Sequence, residues 1–82
     1  MKNDVVIFTA PGCTSCGRAK AFLEEHGVPF VERNLAVDSC AMEELRALGA
    51  RRLPVVRVGG EMMSGFDPVA LHALLQPERD EA

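Results

Sequence analysis

The chain has 82 residues, 48% hydrophobic and 26% charged, with a formal net charge of −3. That is one globular domain near the small end of what folds on a single core, and neither a disordered chain nor a two-domain one. A mildly acidic balance without clustered Lys and Arg excludes a nucleic-acid footprint, and no apolar run approaches the roughly 18 residues that span a bilayer.

Lys2 is followed by polar Asn3 and Asp4 and then only four apolar residues, too little for a secretory leader, so a cytoplasmic location is expected. Val5-Val6-Ile7-Phe8 is a β-branched apolar run that predicts a strand buried on both faces. Thr9-Ala10-Pro11-Gly12 breaks it, and from Cys13 to His26 the residues Ala19, Phe22 and Leu23 recur at helical spacing until Gly27 and Pro29 stop the helix. Phe30 to Asn34 alternates as a second strand. Asp38 or Ser39 caps a second helix with Met42, Leu45 and Leu48 as its apolar stripe and Gly49 as its end. Pro54 to Val58 is a third strand, and Gly59-Gly60 turns it into a fourth, Glu61 to Ser64. Asp67 caps a last helix opened by Pro68, with Val69, Leu71, Leu74 and Leu75 on its apolar side. The order β-α-β-α-β-β-α predicts an α/β domain whose first β-α-β unit is parallel and right-handed. Residues 1–76 form that domain, and 77–82 read as a flexible acidic tail.

Cys13 and Cys16 sit where the first strand turns into the first helix. Unpaired amides and the positive helix end favour a thiolate there, most of all at the more N-terminal sulfur. Cys13 is therefore the expected nucleophile. Cys16, one turn on, is the expected resolving thiol. Structural zinc needs four ligands, and only Cys40, His26 and His72 remain, on separate predicted helices, so no metal site is expected. His26 reads as a helix C-cap and His72 as a surface position. Arg18 and Lys20 add positive charge near the motif that would favour the thiolate, with a solvated helix face as the preferred reading. Cys40 reads as a small residue in the first turn of the second helix, with a regulatory third thiol as the other reading.

With the motif so placed, the chain resembles the glutaredoxins and the glutaredoxin-like redoxins of the thioredoxin fold. Three segments carry the likeness in order: "VVIFTAPGCTSCGRAKAFLEEHGVPF", "GARRLPVVRVGG" and "MSGFDPVAL". The resemblance implies a four-stranded mixed sheet flanked by three helices, and a dithiol-disulfide oxidoreductase that reduces protein disulfides or glutathione mixed disulfides. It implies a cis peptide bond before Pro54, with the Leu53 backbone pairing to an extended substrate. It also implies that Gly65, Phe66 and Asp67 hold the γ-glutamyl end of glutathione and that Arg51 meets its glycyl carboxylate. No bound cofactor is implied. Glutathione, or a thioredoxin reductase drawing on NADPH, would restore the dithiol, and a monomer is expected. Two departures stand out: Ala10 occupies the place where many members carry Lys or Arg, and Thr14-Ser15 replaces the usual Pro-Tyr. An iron-sulfur cluster carrier assisted by glutathione is the alternative within the family, and a zinc-binding structural domain the one outside it.

Overall fold

The apolar run at the start of the chain forms β1 (Val5–Thr9), all five residues of which are buried. Continuous burial of this kind follows from a central strand covered on both faces. The structure, a computed structural model, describes residues 5–50 and 52–75. After β1 come α1 (Thr14–Glu25), β2 (Val31–Asn34), α2 (Ser39–Leu48), β3 (Val55–Val58), β4 (Glu61–Ser64) and α3 (Pro68–Leu74). They build one sheet in the order β2-β1-β3-β4, with β1 parallel to β2 and antiparallel to β3, and β3 antiparallel to β4. This is the thioredoxin fold. Among the described residues, no helix is long and apolar enough to cross a membrane.

The two-residue period of β1 divides the core. Val5 and Ile7 join Ala19 and Leu23 of α1, Val56 and Val58 of β3 and Leu71 of α3 on one face. Val6 and Phe8 join Ala41 and Leu45 of α2 and Val55 on the other. Parallel register carries the same alternation into β2, where Ile7 lies beside Glu32 and Thr9 beside Asn34. Glu32 and Asn34 therefore lie on the α1 face, and Arg33 on the α2 face.

Each helix begins on the residue type that can cap it. Cys13 caps α1, Asp38 caps α2 by accepting from the Cys40 amide, and Asp67 caps α3 by accepting from the amides of Val69 and Ala70. Two expected apolar stripes shift. Met42 is 45% exposed, and Ala41 takes its place on the sheet because 41, 45 and 48 follow the helical period toward Leu45 and Leu48. Val69 is 79% exposed, since it lies about half a turn round α3 from Leu71, the residue that side buries. The expected acidic tail at 77–82 falls outside the described residues.

Candidate active site

The chain leaves β1 at Thr9 and closes a short turn in which the Cys13 amide donates to the Ala10 carbonyl at 3.3 Å. That turn delivers Cys13 to the N-cap of α1, with Cys16 in the first helical turn. The two sulfurs are joined as a disulfide, with Cα atoms 5.3 Å apart. Their surroundings differ. Cys13 is half-buried, whereas Cys16 is 3% exposed and belongs to the buried side of α1. The Cys16 amide donates to the Cys13 sulfur at 3.2 Å. An N-cap acceptor at a helix start gains from becoming anionic, so this bond favours a thiolate at position 13 after reduction.

Position Phe8 of β1 pairs with Val55 of β3, so Pro54 enters the sheet at the level of Thr9, where the cysteine turn begins. The Leu53–Pro54 bond is cis, as the resemblance implied. The Pro54 carbonyl accepts from the Gly65 amide at 2.8 Å, and the Ser64 hydroxyl donates to the Arg52 carbonyl at 2.9 Å. These bonds bring the expected binding residues Leu53 and Pro54 against the turn formed by Gly65, Phe66 and Asp67. Gly65 is required there on two counts. Its φ is +82°, and a Cβ would stand 2.9 Å from the Arg52 Cδ. Arg51 falls outside the described residues; the side chain of Arg52 lies against Gly65 of this turn.

On the β2 side of the β1 terminus lies a cavity of about 420 Å³ whose lining includes Thr9, Cys13, Cys16, Lys20, Glu32 and Asn34. None of the described residues expected to bind substrate lines it. Lys20 approaches both oxygens of Glu32 at 3.2 Å, and the buried Thr9 hydroxyl donates to Glu32 Oε2 at 2.7 Å. The Thr9 bond first, and Lys20 after it, hold the Glu32 carboxyl below its ordinary value against the opposing effect of partial burial. Sequence reasoning missed Thr9, Glu32 and Asn34 and preferred a solvated helix face for Lys20 over a charge acting near the cysteines. The signal was present in two spacings: Lys20 is four residues after Cys16, and Glu32 and Asn34 alternate on one face of β2.

Across the sheet, Arg33 is committed to Asp38 at 2.6 Å and Glu44 at 3.0 Å and lies 5.6 Å from the Phe8 ring centre. His26 caps the end of α1 as expected, but it is not isolated from His72. Their ring centres are 5.9 Å apart, with Phe22 stacked on His26 at 4.1 Å. Cys40 is an exposed free thiol that does not line the cysteine cavity. Among the described residues, no group of three or more His, Cys, Asp or Glu side chains is arranged to hold a metal ion.

A family model described as Glutaredoxin matches residues 5–63. By fold, the chain is similar to the glutaredoxin-like NrdH-redoxin of Escherichia coli, with 37% identity, a TM-score of 0.80 and coverage of 87% of this chain and 93% of that one. A buckwheat glutaredoxin solved with glutathione is 26% identical, with a TM-score of 0.72 over 92% of this chain and 78% of that one. By sequence, the global transcriptional regulator Spx of Bacillus subtilis is 46% identical over 44 residues, 54% of this chain. That stretch is 34% of the length of Spx, so the chain matches about a third of such curated relatives.

Proposed function

The chain belongs to the glutaredoxin family, and from that premise we propose that it is a dithiol-disulfide oxidoreductase working through Cys13 and Cys16. The observation that carries this is the inequality of the two sulfurs: Cys13 is half-buried and faces a helix amide, while Cys16 is buried and bonded to Cys13. The Cys13 thiolate attacks one sulfur of a target disulfide. That bond breaks, a mixed disulfide forms on Cys13, and the first target thiolate leaves and takes a proton. Cys16 then gives up its proton and attacks the Cys13 sulfur. The second target thiolate departs, two electrons have passed to the target, and the Cys13–Cys16 disulfide described above is the product.

The Leu53 backbone and Pro54 are proposed to pair with the target as an extended chain, and the Gly65-Phe66-Asp67 turn to hold the γ-glutamyl end of a glutathione moiety. Their backbone groups are already drawn together by the Gly65–Pro54 hydrogen bond. Arg51 is proposed to assist at a substrate carboxylate, and disulfide-bearing proteins in the cytoplasm are the proposed substrates. For the reductant, a thioredoxin-reductase type of flavoenzyme is favoured over glutathione. Ala10 leaves the loop without a cation for a glutathione carboxylate, and the NrdH-redoxin relative is described by a thioredoxin-like activity profile. Asp67 supports the glutathione reading, because it stands where the family's γ-glutamyl-binding turn has its aspartate.

The test is reduction of insulin and of a glutathione mixed disulfide, each supplied by thioredoxin reductase or by glutathione and its reductase. Cys13→Ser is expected to abolish turnover with every pairing. Cys16→Ser is expected to accumulate a mixed disulfide on Cys13. Full activity in Cys13→Ser would overturn the reading.

A further inference from the structure

Ala10 brings no charge to the turn before Cys13, yet the cavity holding both sulfurs is not without a cation. Lys20 supplies it from one turn beyond Cys16 on the same helix face. Its ammonium sits 3.2 Å from each oxygen of Glu32, and that carboxylate is pinned from behind by the hydroxyl of Thr9, 2% exposed. The ion pair is thus fixed between the last residue of a buried strand and the helix that carries the resolving cysteine.

We infer that the Lys20–Glu32 pair sets the charge felt by the active-site sulfurs: Glu32 holds Lys20 while the disulfide is closed, and competes with the Cys13 thiolate for it once the disulfide is open. In the disulfide neither sulfur is charged, so Glu32 is the natural partner of the ammonium. Reduction by the donor dithiol adds two electrons and one proton, leaving a thiolate on Cys13 and a thiol on Cys16. One cation then faces two anions. Among the described lining residues, Cys13, Cys16, Lys20 and Glu32 are the ionisable ones, while Thr9 and Asn34 are neutral. Asp38, which shares a second cavity with Glu32, is neutralised by Arg33 at 2.6 Å. Arg18, the other cation of α1 near the motif, is exposed and does not line the cavity. The direction of the Glu32 pKa agrees, since the Thr9 hydroxyl and then Lys20 hold that carboxyl below its ordinary value and so in its charged form at neutral pH.

The inference rests on the redox reading of Cys13, but its test needs only the thiolate. The rate of iodoacetamide alkylation of Cys13 is followed against pH in the reduced full chain, in Lys20→Met, in Glu32→Gln and in the double variant. Removing the cation alone leaves an unpaired carboxylate at the sulfurs, so the midpoint of Lys20→Met should move up and its thiolate fraction below the midpoint should fall by about three- to tenfold. Glu32→Gln frees the cation, and its midpoint should move down. The double variant should return close to the original chain. A pair that serves only to hold α1 against β2 would move both single variants the same way, or neither; either result overturns the inference. A fully active Cys13→Ser in the disulfide-reduction test would instead sink the redox reading and leave this titration standing.

Discussion

The end of β1 is flanked by two constructions made of different materials. On the β3 side, position is set by backbone: the cis Leu53–Pro54 bond, the Gly65 amide on the Pro54 carbonyl, and a glycine in a left-handed conformation. On the β2 side it is set by side chains: Thr9, Glu32 and Lys20, one from each of three elements. Backbone geometry fixes shape and leaves little to vary. A side-chain triad fixes charge, and a single substitution can alter it without moving the chain. A redoxin needs both, because an extended substrate is recognised by shape while thiolate reactivity is governed by charge.

If the β3 side is rigid for the stated reason, its glycine is its weakest point. Gly65→Ala must adopt φ near +82° and also displace Arg52, whose Cδ lies 2.9 Å from the new Cβ. The expected loss is about 2 kcal/mol or more, read from urea unfolding, because a left-handed alanine costs roughly 1–2 kcal/mol before the collision is added. Adding Arg52→Ala removes the collision but not the backbone conformation, so only part of the loss should return. Full recovery would mean that the side chain, rather than the backbone, makes glycine necessary.

A smaller effect is expected on the β2 side. Thr9→Val keeps the shape of a fully packed side chain and deletes the hydroxyl that donates to Glu32. Glu32 keeps Lys20 and reaches solvent, so the cost should lie near the low end for a bond to a charged group, about 1.5 kcal/mol. Thr9→Ser should recover most of it. A Val variant as stable as the original chain would mean that Lys20 alone positions the carboxylate.

This contrast also explains what could be read from the sequence. The β3 side was legible because proline and glycine act on their own backbone, so "LPVV" and "SGF" announce local geometry wherever they stand. The fold was legible for the same reason, from apolar periods and caps such as Asp38 and Asp67. Thr9, Lys20 and Glu32 form no motif. They are 11 and 12 residues apart, and only the parallel register of β1 with β2, a long-range fact, sets Glu32 beside Ile7 and within reach of Thr9. His26 and His72 were separated on paper for the same reason, since nothing local says that α1 and α3 share a sheet face. Met42 and Val69 erred differently: counting apolar residues does not choose between adjacent positions of a short helix, and packing against the sheet did.

The smallest expected effect asks whether the β2 construction acts through charge at all. The folded-state pKa of Glu32 lies below its ordinary value near 4.5, chiefly because Thr9 donates to the carboxylate and then because Lys20 pairs with it. A depressed carboxyl stabilises the fold when ionised, so its contribution is fully present above the unfolded value and is lost as pH falls through the folded one. Asp38 behaves alike on the other sheet face, where Arg33 lowers it, so the acid limb of a stability curve contains both. Subtracting the curve of Glu32→Gln isolates the first, because Asp38 and Arg33 are unchanged in both proteins. The difference between the two curves should be flat near neutral pH and shrink below about pH 4.5. Its size should stay under about 1 kcal/mol, since the ion pair is a third exposed and solvent screens it. Raising the salt concentration should reduce the part due to Lys20 and spare the part due to the Thr9 hydroxyl, which is short-ranged and buried. A difference that persisted unchanged at low pH would mean that Glu32 matters for its packing rather than its charge, and the two sides of the β1 terminus would then be built on the same principle after all.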